Sequence, residues 1–262
     1  MVALVSCGEQ SAAIEEVAAV TSDSGAPQQL KASPASPPTL GPVPEVLHAS
    51  VNVWRGFVAS EHEGVALAGL THGEVDVYGE PGAREPVRTL PATTILGTAT
   101  VVSAVGQPTD DGWVEVLLPG RPNGSTGWVE TRFLDLYIVS DLIVIDLSDR
   151  ELVYYIDGVE SLRSAVAVGT SHNPTPTGTY FVTDSVRING GGPWGPAALG
   201  LSARSDTITE FNGGDGIIGI HGTNKPGSIG MAVSLGCVRL PNEVITELRD
   251  LVSLGTPVEI RA

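Results

Sequence analysis

Cysteine is scarce in this chain of 262 residues, which has only Cys7 and Cys237. Two cysteines this far apart provide neither a disulfide framework nor the Cys cluster of a structural zinc site. The histidines are also too widely spaced for a two-histidine metal motif, since none lies two or four positions from another. The sequence therefore predicts no bound metal and no cofactor. The five histidines are His48, His62, His72, His172 and His221.

Basic residues are few as well, with 14 Lys and Arg against 30 Asp and Glu, and the formal net charge is −16. The basic residues are scattered, so nucleic acid and anionic membrane surfaces are excluded as partners. The charge either repels polyanions or simply keeps the protein in solution, and the second interpretation is favoured. No apolar run approaches the ~18 residues that a membrane-spanning helix needs. Contact with a membrane would therefore depend on a lipid anchor.

Long helical patterns are rare, whereas the chain has 32 Gly, 19 Pro and only 5% aromatic residues. This composition favours many short strands joined by turns, and the predicted strands include 51–53, 126–130, 151–156 and 208–211. The expected fold class is mostly β, with a small barrel followed by a β-rich domain that has one α-helix near its C-terminal end. That helix is predicted from Asn242, as the N-cap, to Gly255, because the apolar residues between them keep helical spacing.

Residues 1–48 form the first predicted region. The sequence L-V-S-C ending at Cys7 resembles the lipobox of a bacterial lipoprotein signal, although only six residues precede the cysteine. Six prolines between residues 27 and 44 are typical of a semi-rigid spacer. We therefore expect a truncated lipoprotein signal and a linker, lipidation at Cys7, and a location in the bacterial cell envelope, outside the cytoplasmic membrane.

Residues 49–136 alternate short β-type runs with strong turn signals such as D-D-G at 110–112 and R-P-N-G at 121–124. The stretch L-P-G-R-P-N-G-S-T-G-W-V from Leu118 resembles a bacterial SH3-like domain, which implies a small β-barrel. Trp113 and Trp128 could form a docking face for peptide or cell wall, or they could pack in the core. The core is the favoured interpretation, because aromatic residues in short strands are more often buried.

Residues 137–262 contain the candidate chemistry, which lies in the stretch 217–240. A short β-branched run ends at His221, and a loop is followed by an apolar segment that carries Cys237. A free thiol has a pKa near ~8.5 and becomes a good nucleophile only beside a base or a cation. His221 could be that base, and Arg239 could be the cation. The alternative is that the cysteine is a small buried hydrophobe and the histidine is structural.

The pattern H-G-T-x-x-P from His221 and S-x-G-C-V-R around Cys237 resembles the signature of the YkuD-type L,D-transpeptidases. Two upstream stretches, 169–180 and 192–202, resemble the same family. The resemblance implies that Cys237 is the nucleophile, that His221 is the base and that the carbonyl of Gly222 orients the imidazole. One departure is Leu235, where the family commonly has a second histidine. The further pocket positions, for an oxyanion hole or for substrate, are Ser234, Gly236, Arg239 and Thr223.

The resemblance implies a reaction with peptidoglycan stem peptides, a donor tetrapeptide and an acceptor diamino acid, that forms a 3→3 cross-link through a Cys thioester. It also implies carbapenem inhibition. Two alternatives remain: an L,D-carboxypeptidase that uses water as acceptor, and a non-catalytic peptidoglycan-binding or scaffolding protein. Tyr180 and Trp194, with Thr175 and Thr177, either line the donor groove or serve packing and turns. The G-x-G-x-x-G pattern at 190–195 is interpreted as a loop, because no βαβ unit surrounds it.

Overall fold

The structure is a computed structural model that describes residues 32–34, 66–211 and 214–262. Cys7, most of the predicted linker and the strand expected at 51–53 lie outside the described residues. Lys31–Ala262 form one compact unit. Within the described ranges this unit is built of strands, with three short 3-10 turns and one α-helix, which confirms the mostly-β fold class.

Eighteen strands run through the described part of the chain. The first eight are β1 (Ala32–Pro34), β2 (Ala66–Thr71), β3 (Val75–Val77), β4 (Arg88–Leu90), β5 (Val101–Ala104), β6 (Trp113–Leu117), β7 (Thr126–Glu130) and β8 (Leu134–Val139). The next five are β9 (Asp141–Asp146), β10 (Glu151–Ile156), β11 (Val159–Ala165), β12 (Val168–Gly169) and β13 (Gly178–Ile188). The last five are β14 (Ala197–Arg204), β15 (Ile217–His221), β16 (Ala232–Ser234), β17 (Val238–Arg239) and β18 (Pro257–Arg261). The 3-10 turns are Thr131–Phe133, Gly192–Trp194 and Pro226–Ser228, and helix α1 is Asn242–Leu251.

The smaller sheet has five strands in the order β7-β6-β5-β2-β8, and β3 pairs with β4 beside it. Alternation along β6 and β7 buries Val114, Val116 and Val129 on one face. Trp113 and Trp128 therefore point to the opposite face, where both are only partly buried and Trp113 packs edge-on against Tyr78. The expectation that the two tryptophans lie in the core is wrong, because strand alternation gives the inward positions to the valines.

The larger sheet has the strand order β11-β10-β9-β18-β13-β14-β15-β17, and β1 pairs with the second half of β13. Most pairs are antiparallel, but β18 runs parallel to β9 and β17 runs parallel to β15. Helix α1 packs on this sheet through Ile245 and Leu248, which are fully buried. Strand β8 of the smaller sheet runs across positions 136 and 137, where the sequence analysis places a domain boundary. The SH3-like assignment and that boundary stay predictions.

Two local expectations differ from the structure. Residues 208–211, expected as a strand, form none, and Phe211 makes only an isolated bridge to Gly214. The hydroxyl of Ser205 accepts the Ile208 N–H, so this segment turns instead of extending. Helix α1 begins at Asn242 itself, preceded by Pro241, and ends at Leu251. Asn242 is therefore not its N-cap, and its side chain bonds elsewhere.

Candidate active site

The parallel pair β15 and β17 brings His221 and Cys237 to the same face of the larger sheet. The register aligns Ile220 with Val238 and His221 with Arg239. Cys237 directly precedes β17, so it lies two positions before the level of His221 and shares its face with Arg239. With a rise of ~3.3 Å per residue and strands ~4.8 Å apart, the two Cα atoms are about 8 Å apart, which lets the side chains meet.

His221 is buried, with 5% of its surface exposed, and its ring is oriented by a backbone contact. Nδ1 lies 2.6 Å from the carbonyl oxygen of Gly222. A carbonyl only accepts, so Nδ1 carries the hydrogen and Nε2 keeps a lone pair. Burial lowers the pKa of His221 to about 4, the bond to Gly222 opposes this shift, and the charge of Arg239 adds to it. The imidazole is therefore neutral at neutral pH and can accept a proton.

Cys237 is a free thiol that is partly exposed. Burial of the sulfur raises the pKa of the Cys237 thiol, while a backbone hydrogen bond from Gly219 and the charge of Arg239 lower it by less. Its Sγ lies 3.9 Å from the carbonyl oxygen of Ile217, which is a weak thiol contact. The resting pair is thus a neutral thiol beside a neutral imidazole. Attack on a substrate requires proton transfer to His221.

Trp194 covers the imidazole. Its ring centroid is 4.6 Å from that of His221, and Phe211 also packs edge-on against Trp194, with a centroid distance of 6.1 Å. Trp194 belongs to the glycine-rich stretch 190–195, where Gly195 has a φ of 65°. A Cβ on Gly195 would lie 2.5 Å from the Cα of Gly222. Glycine is required here because the loop carrying Trp194 touches the backbone that orients His221.

The turn before Cys237 is closed by its own side chains. Ser234 donates its hydroxyl to the carbonyl of Cys237 at 2.5 Å and accepts the Gly236 N–H at 3.1 Å. Thr175 donates to the carbonyl of Gly236 at 2.8 Å, and Gly236 has a φ of 117°. Ser234 therefore closes the turn, and the Gly236 N–H is already used. The Cys237 N–H, which directly follows this turn, is a candidate for an oxyanion donor.

Asn242 is a site residue that the sequence analysis missed in this role. Its Oδ1 accepts the backbone N–H of Thr223 at 2.8 Å. Thr223 is buried, and its hydroxyl accepts the Lys225 N–H at 3.0 Å, so its polar atoms hold the turn after His221. The first residue of α1 thus fixes the segment that positions the base. The helix signal at residue 242 was visible in the sequence, but the contact across 19 residues was not.

Two further residues that the sequence analysis singled out, Tyr180 and Leu235, differ in exposure. Tyr180 lies in the hydrophobic core with 3% exposure, and its hydroxyl donates to the carbonyl of Thr177. This burial favours the packing interpretation of Tyr180 over the donor groove, both of which the sequence analysis left open. Leu235, in contrast, is 51% exposed between Ser234 and Gly236, beside the nucleophile.

Neither a metal cluster nor a membrane-spanning helix is found in the described ranges. These residues contain no group of three or more His, Cys, Asp or Glu side chains placed to hold a metal ion. Within the same ranges, no helix has the length and apolar content to cross a bilayer.

Comparison with known proteins finds one matching family and several similar proteins. Residues 140–260 match the family YkuD, described as an L,D-transpeptidase catalytic domain. The protein named "Putative L,D-transpeptidase YkuD" of Bacillus subtilis (strain 168) is 32% identical over 145 residues, which cover 55% of this chain and 73% of that protein. "Putative L,D-transpeptidase YqjB" of the same strain is 35% identical over 128 residues, with 45% and 69% covered.

Among solved structures, L,D-transpeptidase 3 from Mycobacterium tuberculosis in complex with a faropenem-derived adduct has a TM-score of 0.39 and 18% identity. The match covers 62% of this chain and 91% of that one. Sequence identity to the Bacillus protein over most of its length is the stronger finding. The chain therefore belongs to the L,D-transpeptidase family, and its residues 140–260 are a YkuD catalytic domain.

Proposed function

We propose that the protein is a cysteine-dependent L,D-transpeptidase that forms 3→3 cross-links between peptidoglycan stem peptides. The observation that supports this most directly is the pairing of β15 with β17, which puts Cys237 and a neutral, oriented His221 on one face. Cys237 as a residue is partly exposed, which supports access of a substrate from solvent. Membership of the L,D-transpeptidase family supplies the reaction class.

The proposed reaction begins when His221 Nε2 accepts the thiol proton and Cys237 Sγ attacks the carbonyl carbon of the third residue of a donor tetrapeptide. The resulting oxyanion is stabilised by backbone N–H groups near Cys237. The His221 imidazolium then gives its proton to the departing amine of the terminal D-Ala. The peptide C–N bond breaks, and a thioester to Cys237 remains.

In the second half, the side-chain amine of an acceptor diamino acid attacks the thioester carbonyl. His221 accepts the amine proton and returns it to Sγ as the C–S bond breaks. The product is a 3→3 amide, and the enzyme is restored. Water in place of the amine would release a tripeptide, which is the carboxypeptidase alternative. The exposed side chain of Leu235 adds apolar surface beside the nucleophile, which suits exclusion of water from the thioester.

The test uses purified protein with a tetrapeptide stem and, in parallel, a carbapenem, whose strained ring acylates a thiolate. We expect an acyl adduct on Cys237 by intact mass, and cross-linked dimer with release of D-Ala. Cys237→Ala should lower turnover by about 10³-fold or more, because the nucleophile is gone. The matched control is Cys7→Ala, which removes the other cysteine and should react like the wild type.

Each alternative has its own outcome. Tripeptide without dimer would identify a carboxypeptidase. Binding of stem peptides with neither adduct nor D-Ala release would identify a scaffolding protein. Either result would contradict the transpeptidase proposal.

The same proposal places the protein in the bacterial cell envelope, where its stem-peptide substrates lie. Lipidation at Cys7 would anchor it there, with the proline-rich segment as a spacer. Growth of a bacterial host with a clickable fatty acid should label the full-length protein, and Cys7→Ser should remove the label. Unlabelled wild type in the membrane fraction would contradict the anchor.

A further inference from the structure

The turn between β6 and β7 of the smaller sheet lies along the end of β14 in the larger sheet. The N–H of Gly120 donates to the carbonyl of Ser202 at 3.1 Å. Asn123 pairs with the backbone of Arg204 in both directions, since its Nδ2 donates to the Arg204 carbonyl and its Oδ1 accepts the Arg204 N–H, each at 2.8 Å. Three backbone-directed hydrogen bonds thus fix the turn 120–123 on β14.

Arg121 extends from this turn into the segment that joins β14 to β15. One terminal nitrogen donates to the carbonyls of Ser205 at 2.6 Å and Ile208 at 3.0 Å. The other pairs with the carboxylate of Asp215 and donates to the Asp215 carbonyl at 3.1 Å. A planar guanidinium with five N–H donors is suited to such a divergent set of acceptors. Its side chain is 31% exposed, and the bonds to the Ser205 and Ile208 carbonyls are partly buried, whereas those to Asp215 are exposed.

The Arg121 contacts converge on the start of β15. A Cβ on Gly216 would lie 2.0 Å from the Ile208 carbonyl and 3.2 Å from Arg121 Nη2, so no space separates these three groups. Directly after Gly216, the carbonyl of Ile217 faces the Cys237 sulfur. Two residues further, Gly219 supplies the backbone hydrogen bond to the Cys237 thiol. The β15 residues whose backbone contacts the Cys237 sulfur, Ile217 and Gly219, therefore directly follow Gly216, which lies beside Arg121.

A second contact leads to the turn before the nucleophile. A Cβ on Gly236 would be 3.0 Å from the side chain of Ile218 and 4.0 Å from the hydroxyl of Ser205. Ser205 is the residue whose carbonyl Arg121 binds. Movement of Ser205 and of the Ile208 and Gly216 backbone would therefore disturb both β15, which contacts Cys237, and the turn that precedes Cys237.

We propose that Arg121, on the smaller sheet, is a positioning residue for the Cys237 nucleophile. It touches neither substrate nor Cys237. It holds Ser205, Ile208 and Asp215 so that β15 keeps Cys237 in line with its substrate carbonyl. This role rests on the proposed acylation chemistry. Through Arg121, the smaller sheet would contribute to the positioning of the nucleophile. Arg204, which also contacts Asp215 at 3.3 Å, holds the carboxylate but neither the Ser205 nor the Ile208 carbonyl.

The test measures single-turnover acylation of the full chain by a carbapenem, which separates the limiting rate from the half-saturating concentration. Arg121→Ala should lower the limiting rate by about 10-fold to 100-fold, since misplacement of a reacting group by about 1 Å has effects of that size. The half-saturating concentration should change by less than about threefold. Arg121→Lys keeps the charge but loses the two terminal nitrogens of the guanidinium, so it should recover the rate only in part.

The matched control is Arg132→Ala, which removes an arginine in the 3-10 turn between β7 and β8 that pairs with Glu130 two residues away. It should acylate at the wild-type rate. If Arg121→Ala does not fold, Asp215→Asn weakens the same anchor and should lower the limiting rate by about threefold or more. A folded Arg121→Ala that acylates like the wild type would overturn the proposal. Failure of the wild type itself to acylate would instead contradict the proposed function.

Discussion

His221 and Cys237 are both neutral when the site is at rest, and this sets how the nucleophile is activated. Burial lowers the pKa of His221 to about 4, and it raises the pKa of Cys237 above its ordinary value. A preformed thiolate–imidazolium pair is therefore disfavoured. In the proposed reaction, proton transfer to His221 Nε2 occurs as Sγ bonds to the substrate carbonyl, and the imidazolium exists only in the charged steps.

The low pKa of His221 makes stability depend on pH. In the unfolded chain the imidazole has its ordinary pKa near 6.5, so between pH 6.5 and 4 the unfolded chain binds more protons than the folded one. Stability is fully present above pH 6.5 and is lost as the pH falls to about 4. The shift corresponds to about 3 kcal/mol of unfolding free energy. Urea unfolding from pH 4 to 7.5 measures this loss.

The control is His221→Gln, which cannot be protonated and so removes this part of the pH dependence. Carboxylates titrate in both proteins, and the difference between the two curves isolates the histidine. The wild type should lose more stability than His221→Gln as the pH falls from 6.5 to 4. Parallel curves would mean that His221 is solvated in the folded protein.

The strand positions of His221 and Cys237 could be predicted from local spacing, whereas their catalytic roles stay predictions. A strand ending at His221 and an apolar return carrying Cys237 could be inferred from the sequence, and the structure pairs the two strands. Asn242 and Arg121 could not be assigned their contacts, because each acts across sequence on backbone atoms. Arg121 reaches a residue 94 positions away. Nothing in residue type or spacing indicates which carbonyl a side chain will meet.

The glycine-rich stretch 190–195 is the element that brings Trp194 onto His221. The sequence analysis interpreted it as a loop, and the structure contains a short 3-10 turn there, Gly192–Trp194, between β13 and β14. Glycine is needed at these positions for different reasons. Gly190 and Gly191 have positive φ with open space around them, whereas Gly195 also touches the Gly222 backbone. A sequence pattern cannot separate these two demands, because both select glycine.

Alanine substitutions at Gly191 and Gly195 separate backbone strain from close packing. Both have positive φ, 67° and 65°, with ψ of −118° and −159°, a region adopted almost only by glycine, so both variants incur backbone strain of about 1–3 kcal/mol. Gly195→Ala also places a Cβ 2.5 Å from Gly222 and 2.4 Å from Asn242 Oδ1, which adds about 1–3 kcal/mol of overpacking. Urea unfolding of the two variants measures the difference.

Acylation of Cys237 gives a second readout of the same pair. Gly195→Ala should displace the Gly222 carbonyl and slow acylation, while Gly191→Ala should leave it near the wild-type rate. Equal losses of stability and equal rates in the two variants would show that the approach of Gly195 to Gly222 is not needed.

The elements themselves were predicted most reliably where apolar alternation is strong and turns flank it. Strands β7 and β10 lie at the expected residues. The strand predicted at 208–211 does not form, because Ser205 and Arg121 hydrogen-bond to the N–H and carbonyl of Ile208. This tertiary effect overrides the local pattern. Strand β4 was missed because Arg88, Thr89 and Leu90 are too few to show any period.

At the scale of the whole molecule, the two sheets share a core. Val101 of β5, in the smaller sheet, is 1% exposed and belongs to the same buried cluster as Ile143 and Leu201 of the larger one, and Leu70 and Leu117 pack against it. The hydroxyl of Tyr137 donates to the carbonyl of Leu254 at 2.8 Å, and burial strongly raises the pKa of Tyr137. Shared apolar burial of this kind couples the stability of the two sheets.

We therefore expect residues 66–262 to unfold in one cooperative transition. Far-UV circular dichroism in urea reports both sheets, and alkylation of Cys237 reports the larger one, so the two midpoints should coincide. Val101→Ala, a truncation in the smaller sheet, should cost about 2 kcal/mol and move both midpoints together. Val159→Ala is the matched control, because Val159 is 69% exposed on β11 and its truncation should cost less than about 0.5 kcal/mol. If Val101→Ala shifted the circular dichroism midpoint and left the Cys237 midpoint unchanged, the sheets would be independent, and Arg121 could hold the active site only through its own contacts.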